Sequence, residues 1–334
     1  MERLAAVPGV FYERSEIDSR MTRRRLLCVY IAALVDVASG AFIAKAAQDN
    51  PFTITSNVER VLLDVSVKDR RGTYVAGLKK ENFRVLENGR PEPVTDFGDV
   101  DSPVTVGLVL DDSGSMQEKR PDVITAGLAF AKESNPQDEF FLVNFNDHVS
   151  FGLPAKMDFT DNVNTLRAAL YMGNPVGQTA LYDAVLQGLL HLKKGKQTKK
   201  TLIVVSDGGD NVSKSTQRDV LKLIQASEAT VYTVGLFGPD DRDRNPGVLQ
   251  KFAHVSGGEF YNPTTPAEVI PVFHKIARDI RSRYLVGFAP DPKIDPLKHP
   301  VRSIRVTVVG PQRQKYVVRS RTSYSLRAND KPSH

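Results

Sequence analysis

The chain has 334 residues, 41% of them hydrophobic and 25% charged, which is ordinary globular composition with room for one large domain or two small ones. Its formal net charge of +6 is uneven: residues 281–334 hold twelve basic and three acidic side chains (+9), residues 1–46 hold seven and five (+2), and the segment between is left with −5. An acidic body beside a basic end argues against a nucleic-acid protein with one continuous positive face, and the single cysteine, Cys28, excludes an intrachain disulfide and a cysteine-based metal site.

In chain order, Arg23, Arg24 and Arg25 precede an apolar stretch over 26–44, and Ala44-Lys45-Ala46 offers a small-x-small cleavage point. This predicts a secretory signal over 1–47, with a retained N-terminal membrane anchor as the alternative, and hence a secreted, periplasmic or cell-envelope location. Asp36 interrupts the apolar run, and Leu27 stands before Cys28 where a lipoprotein would need a small residue.

Residues 48–102 read as an N-terminal β module. The segment 58–68 alternates with period two, Asp69 to Gly72 form a turn, 83–86 form a strand, Asn88-Gly89 marks a hairpin, and a last segment ends near Phe97. From 104 the texture changes to strands alternating with helices. VTVGLVLD (104–111), EFFLVNF (139–145) with a segment near 149–153, TLIVVSD (201–207), VYTVGL (231–236) and EFY (259–261) read as strands. Helices are expected over 121–134 (entered through Pro121), 161–172 (capped by Asp161), 180–192, 216–227, 246–255 and 266–283. The fold class is therefore α/β, a doubly wound, mostly parallel sheet over 103–283.

Residues 284–325 return to β texture with YLVGF (284–288), SIRVTVV (303–309) and YVVRSR (316–321). Neither flank is large enough to bury a core alone, so the two are expected to pair into a small β-sandwich, leaving 326–334 as a polar, disordered tail.

In open α/β sheets, ligands collect outside the carboxyl ends of the strands. Three segments place oxygen donors there: Asp111-Asp112-Ser113-Gly114-Ser115, Gly177-Gln178-Thr179-Ala180-Leu181, and Ser206-Asp207-Gly208-Gly209. Carboxylates and hydroxyls are hard donors suited to Mg²⁺ or Mn²⁺ and poorly suited to zinc. Gly114 and Gly208 are expected to allow the sharp turns that bring neighbouring side chains together.

The D-x-S-x-S run with G-S-M, the distant G-x-T-x-L and the later S-D-G resemble, in order and spacing, the metal-ion-dependent adhesion site of von Willebrand factor A domains. The resemblance covers about 103–283. It implies that Ser113 and Ser115 bind the metal directly, Asp111 and Asp207 directly or through water, and Thr179 directly in the ligand-engaged form. It further implies cation-dependent protein binding or adhesion, with a partner supplying an acidic side chain, and a closing helix whose movement is linked to ligand binding. The flanks resemble the secreted bacterial VWFA-related group, through Gly77-Leu78 to Phe83 and through Arg321-Thr322-Ser323-Tyr324.

Other readings stand beside this one. A scaffold subunit in an envelope-associated assembly would use the same site. A Mg²⁺-dependent phosphotransfer enzyme would need a cation positioned for the phosphoryl group, whereas the Lys193–Lys200 cluster precedes a strand, at the opposite pole. No P-loop, H-E-x-x-H or nucleophile elbow is present, so no catalytic residue is assigned. Asp112 is off-pattern and reads as a supporting or solvent-facing residue. The charged loop 240–244 is either a partner-selecting or a solvated loop, and His148, His191, His254 and His274 read as structural or exposed.

Overall fold

A computed structural model of the chain describes residues 60–98, 100–238, 243–291, 294, 299–310 and 315–325. The expected signal or anchor, the lead-in before 60, residues 240–242 of the charged loop and the tail from 326 lie outside the described residues. Among the described residues, no helix is long and apolar enough to cross a membrane.

The central layer follows from strand burial. β5 (Val104–Asp111) and β6 (Glu139–Phe145) are buried at every position, as strands covered on both faces must be. With β7 (Val149–Phe151), β8 (Lys199–Ser206), β9 (Thr230–Gly235) and β10 (Phe260–Tyr261) they form one sheet in the order β10-β9-β8-β5-β6-β7. The pairs from β10 through β6 are parallel, and only the edge strand β7 runs antiparallel. Alternate residues feed two separate cores. Val106, Leu108, Leu110, Leu142, Ile203 and Tyr232 face α1 (Arg120–Glu133), α2 (Val163–Tyr171) and α6 (Val269–Arg281). Val109, Phe141, Val143, Leu202, Val204 and Val231 face α3 (Leu181–Leu192), α4 (Gln217–Ala226) and α5 (Pro246–Ser256). This is the expected doubly wound sheet.

The flanking strands complete the molecule. β1 (Val61–Lys68) pairs antiparallel with β11 (Tyr284–Phe288), although they lie more than two hundred residues apart in sequence. One sheet has the order β13-β1-β11-β4, with β4 (Val94–Gly98) and β13 (Val317–Arg319) at its edges. The other has the order β14-β12-β2-β3, with β2 (Phe83–Glu87), β3 (Arg90–Glu92), β12 (Val301–Val308) and β14 (Ser323–Ser325). Leu63, Val65, Val286 and Phe288 from the first sheet share a core with Phe83, Val85, Ile304 and Tyr324 from the second. Each sheet mixes strands from both flanks, which neither flank could have built alone.

Three local expectations change. The cap of α2 is Asn162 and not Asp161: the Asn162 side chain accepts hydrogen bonds from the Asn164 and Thr165 backbone N–H groups. The closing helix starts with a 3₁₀ turn over Pro266–Glu268, so its α-helical part begins at Val269. Beyond 316–321 there is a further strand, β14, whose Tyr324 closes the sandwich core.

Candidate metal centre

Strand order decides where the oxygens meet. β5 lies between β6 and β8, and the chain leaves its carboxyl end toward β6 but returns later on its other side as β8. The carboxyl ends of β5 and β8 therefore form the switch point of the sheet. Parallel register places Leu110 opposite Val205, so Asp111 and Ser206, the next residues along, arrive together. Ser206 Oγ donates to Asp111 Oδ2 at 2.6 Å, and the Ser113 N–H donates to Asp111 Oδ1 at 2.9 Å. Both carboxylate oxygens are thus fixed in orientation.

Beyond Asp111 the chain makes a 3₁₀ turn over Gly114–Met116, anchored by the buried Met116 side chain. This turn brings the Ser113 and Ser115 hydroxyl oxygens to 3.1 Å from each other. Ser115 Oγ in turn donates to Asp207 Oδ2 at 2.7 Å, while the Gly209 N–H holds Asp207 Oδ1 at 3.0 Å. Four of the five expected ligands are joined directly in this way. Asp111, Ser113 and Asp207 are buried, and Ser115 lies at the exposed lip.

Thr179 comes from the third segment. The Gly114 N–H donates to the Gly177 carbonyl at 3.1 Å, which lays the 177–181 loop against the serine loop. The Thr179 N–H donates to Asn211 Oδ1 at 2.9 Å, and its carbonyl accepts from the Asn211 N–H at 3.0 Å. The buried Thr179 backbone is thereby tied to the loop that carries Asp207; its hydroxyl has no hydrogen bond to the other four residues. Asn211 was missed by sequence reasoning, as was Asp147, whose Oδ1 accepts from the Gln178 N–H at 3.1 Å. The only available signal was their position in loops following β8 and β6.

The glycine expectation is half right. Gly208 has φ +78°, and a Cβ there would run into the Asn245 carbonyl oxygen. Gly114 has an ordinary φ and room for a Cβ, whereas Gly177, at φ +82° beside Asp147, is the second position that requires glycine.

Asp112 is neither solvent-facing nor aimed at the oxygen cluster. It is buried and ion-paired with the buried Arg120 of α1, whose Nη2 also donates to the Leu170 carbonyl at 3.0 Å. The neighbouring Lys119 Nζ donates to the Leu236 carbonyl at 2.9 Å. The cations next to the serine loop thus hold α1 to its surroundings. No basic side chain among the described residues lies within ion-pairing distance of Asp111 or Asp207. Burial pushes the Asp111 carboxyl up to about 6, against the hydrogen bonds from Ser113 and Ser206, with the Asp207 charge adding to the rise. Of the charged loop, Asp243 is described, and its carboxylate accepts from Asn211 Nδ2 at 3.4 Å, on this same face. Among the histidines, His191 is buried under Phe141, Phe151 and Phe159, with Nε2 at 2.9 Å from the Asp158 carbonyl. His274 pairs with Glu133 at the surface.

Two buried carboxylates and two hydroxyls converging without a protein cation make a donor set that fits a hard divalent ion. The family model of the von Willebrand factor type A domain matches residues 106–209, a span that runs from β5 through Asp207 and Gly208. The chain carries a von Willebrand factor type A domain. Similar solved structures include BatB from Bacteroides thetaiotaomicron, at 17% identity over 52% of this chain and 98% of that one, with a TM-score of 0.43. A von Willebrand factor type A protein from Catenulispora acidiphila is similar at 12% identity over 82% of this chain and 76% of that one, with a TM-score of 0.49. The vWF domain of the type V pili tip protein Mfa5 from Porphyromonas gingivalis is similar at 15% identity over 54% and 95%, with a TM-score of 0.46. No curated protein matches the chain.

Proposed function

We propose that this protein binds a protein partner through a divalent cation, Mg²⁺ or Mn²⁺, held by Asp111, Ser113, Ser115, Thr179 and Asp207. The observation that carries the reading is the meeting of two buried carboxylates and two serine hydroxyls at the sheet's switch point, with no basic side chain among the described residues to neutralise them. A hard cation bound there supplies a positive centre that a partner's aspartate or glutamate can approach. The chain's own groups do the positioning. Ser206 and the Ser113 N–H orient Asp111, the Gly209 N–H orients Asp207, and Asn211 holds the Thr179 loop in place.

With an apolar segment behind three arginines near the start, the expected setting is secreted or envelope-associated, where such a module acts in adhesion or in assembly. Calorimetry of the full chain with Mg²⁺ and Mn²⁺ tests the metal reading. Wild type should bind one ion saturably, and Asp111→Ala should abolish binding while leaving the circular dichroism spectrum unchanged. A folded wild-type protein that binds neither ion would remove the basis of the proposal. Pull-downs with and without chelator then test the partner half, since capture that is insensitive to chelator would separate partner binding from the metal.

A further inference from the structure

At the pole opposite the oxygen cluster, a cavity of about 440 Å³ opens between the end of α3, the α4–β9 turn and the sandwich. Leu189 and Leu192 of α3, Ala229 at the foot of β9, Val61 of β1 and Tyr324 of β14 give it an apolar lining. Four cations, Arg60, Lys193, Lys200 and Arg321, face it against one carboxylate, Glu228. This is where the Lys193–Lys200 cluster and the basic C-terminal end, neither of them used by the metal site, come together. A volume in the range of about 300–1,000 Å³ with apolar walls and a few convergent polar groups is the ordinary form of a small-molecule site.

The state of the individual cations matters more than their number. Arg60 is answered by Asp96 at 2.9 Å. Arg321 is buried, yet Nε donates only to the Ser323 carbonyl at 3.2 Å and Nη2 only to the Gln225 carbonyl at 2.8 Å, and Nη1 makes no hydrogen bond. Lys200 Nζ donates to the Gly195 carbonyl at 2.6 Å and to Thr105 Oγ1 at 3.4 Å. Neither Arg321 nor Lys200 has a carboxylate within ion-pairing distance among the described residues. Burial lowers both, Arg321 to about 10 with the Glu228 charge partly opposing it, and Lys200 with the Glu139 and Glu228 charges partly opposing it. Buried cations ordinarily sit beside a counter-ion, because desolvation is costly without one. Here a buried arginine and a half-buried lysine line the same apolar cavity.

We propose that this cavity binds a small organic anion, a carboxylate carried on an apolar chain, with Arg321 and Lys200 holding the carboxylate and the Leu189–Leu192–Tyr324 surface holding the chain. The site is independent of the metal and of the partner at the other pole.

The test uses the full chain in EDTA, titrated calorimetrically with octanoate, with 1-octanol as the uncharged analogue and with inorganic phosphate as the anion without an apolar body. Octanoate should bind saturably at one per chain, and octanol and phosphate each at least about tenfold more weakly. Lys200→Gln should weaken octanoate by about tenfold and leave octanol unchanged. Arg321→Gln should do the same wherever its circular dichroism matches wild type. Because Arg321 is buried and its replacement could unfold the chain, Lys200→Gln is the deciding variant. Equal binding of octanoate and octanol would reduce the cavity to an apolar void. Phosphate binding as tight as octanoate would remove the apolar half of the proposal, and no saturable octanoate binding into the millimolar range would overturn it entirely.

Discussion

Two regions of this molecule gather buried carboxylates, and they treat them in opposite ways. At the switch point, Asp111 and Asp207 are held by hydroxyls and backbone N–H groups and meet no cation among the described residues. At the seam between the α/β layer and the sandwich, Asp279 at the end of α6 is answered completely. It accepts from Arg283 Nε and Nη2 at 2.9 and 2.7 Å, from Tyr232 Oη at 2.5 Å and from Ser66 Oγ at 2.8 Å. Arg283, in the short link from α6 to β11, also donates to the Gly257 carbonyl of the α/β layer and the Asp64 carbonyl of β1. A carboxylate satisfied from within its own chain welds elements together. One that is oriented but left without a counter-charge suits the cation proposed for it.

The comparison breaks most visibly at the seam. Replacing Arg283 with Gln leaves Asp279 buried without its cation and should cost about 3–5 kcal/mol in urea-induced unfolding. Cation affinity, measured where the variant is still folded, should not change; a parallel loss would mean that the two poles are coupled through α6. The pH dependence has a defined sign. Burial works to raise the Asp279 pKa, but the Arg283 charge and the hydrogen bonds from Tyr232, Arg283 and Ser66 outweigh it and hold the group below the usual carboxylate range. Folding therefore favours the charged form. Its contribution is full above the unfolded value of about 4 and is lost as the pH falls through the lower folded value. The stability gap between wild type and Asp279→Asn should be wide at neutral pH and close in strong acid.

A smaller effect is expected at the switch point. Gly208→Ala forces a side chain into a left-handed backbone and against the Asn245 carbonyl, at a cost of about 1–3 kcal/mol. Because Asp207 is the preceding residue, this variant should also weaken Mg²⁺ binding, which separates it from Arg283→Gln. Calorimetry and urea melts on the same samples check both halves.

These differences also explain what could be read in advance. The ends of β5 and β8 were legible because a buried strand announces itself by an unbroken apolar run, and the carboxylates at its end stand out against it. The segments carrying Asp111 and Asp207 could therefore be picked out as strand ends, while the full ligand set with Ser113, Ser115 and Thr179 came from the resemblance to von Willebrand factor A domains. The seam was not legible, since the Ser66–Asp279 and Arg283–Asp64 contacts join residues more than two hundred positions apart and depend on how the sandwich docks. Asn211 escaped for a related reason. Its side chain reads as ordinary loop chemistry until the 177–181 loop is placed against it. Asp112 was kept out of the ligand set in advance, but its burial against Arg120 was not legible, because the side chain turns away from the cluster toward a helix whose docking the sequence does not show.

The smallest effect tests the one-residue error at α2. Asp161 and Asn162 are both competent caps, and sequence preference hardly distinguishes them. The structure does, because Asn162 Oδ1 lies 2.8 Å from the Asn164 N–H and 3.3 Å from the Thr165 N–H, while Asp161 makes neither bond. Asn162→Ala should therefore cost about 1 kcal/mol, and Asp161→Ala should stay within about 0.5 kcal/mol of wild type in the same urea melts. Neither should alter Mg²⁺ affinity, because the cap lies at the start of α2, and the 177–181 loop that carries Thr179 lies beyond the helix's other end, tied independently to Asn211 and Gly114. A fall in affinity with Asn162→Ala would show that the Thr179 loop depends on α2 for its position, and would enlarge the cation-poor region to include that helix.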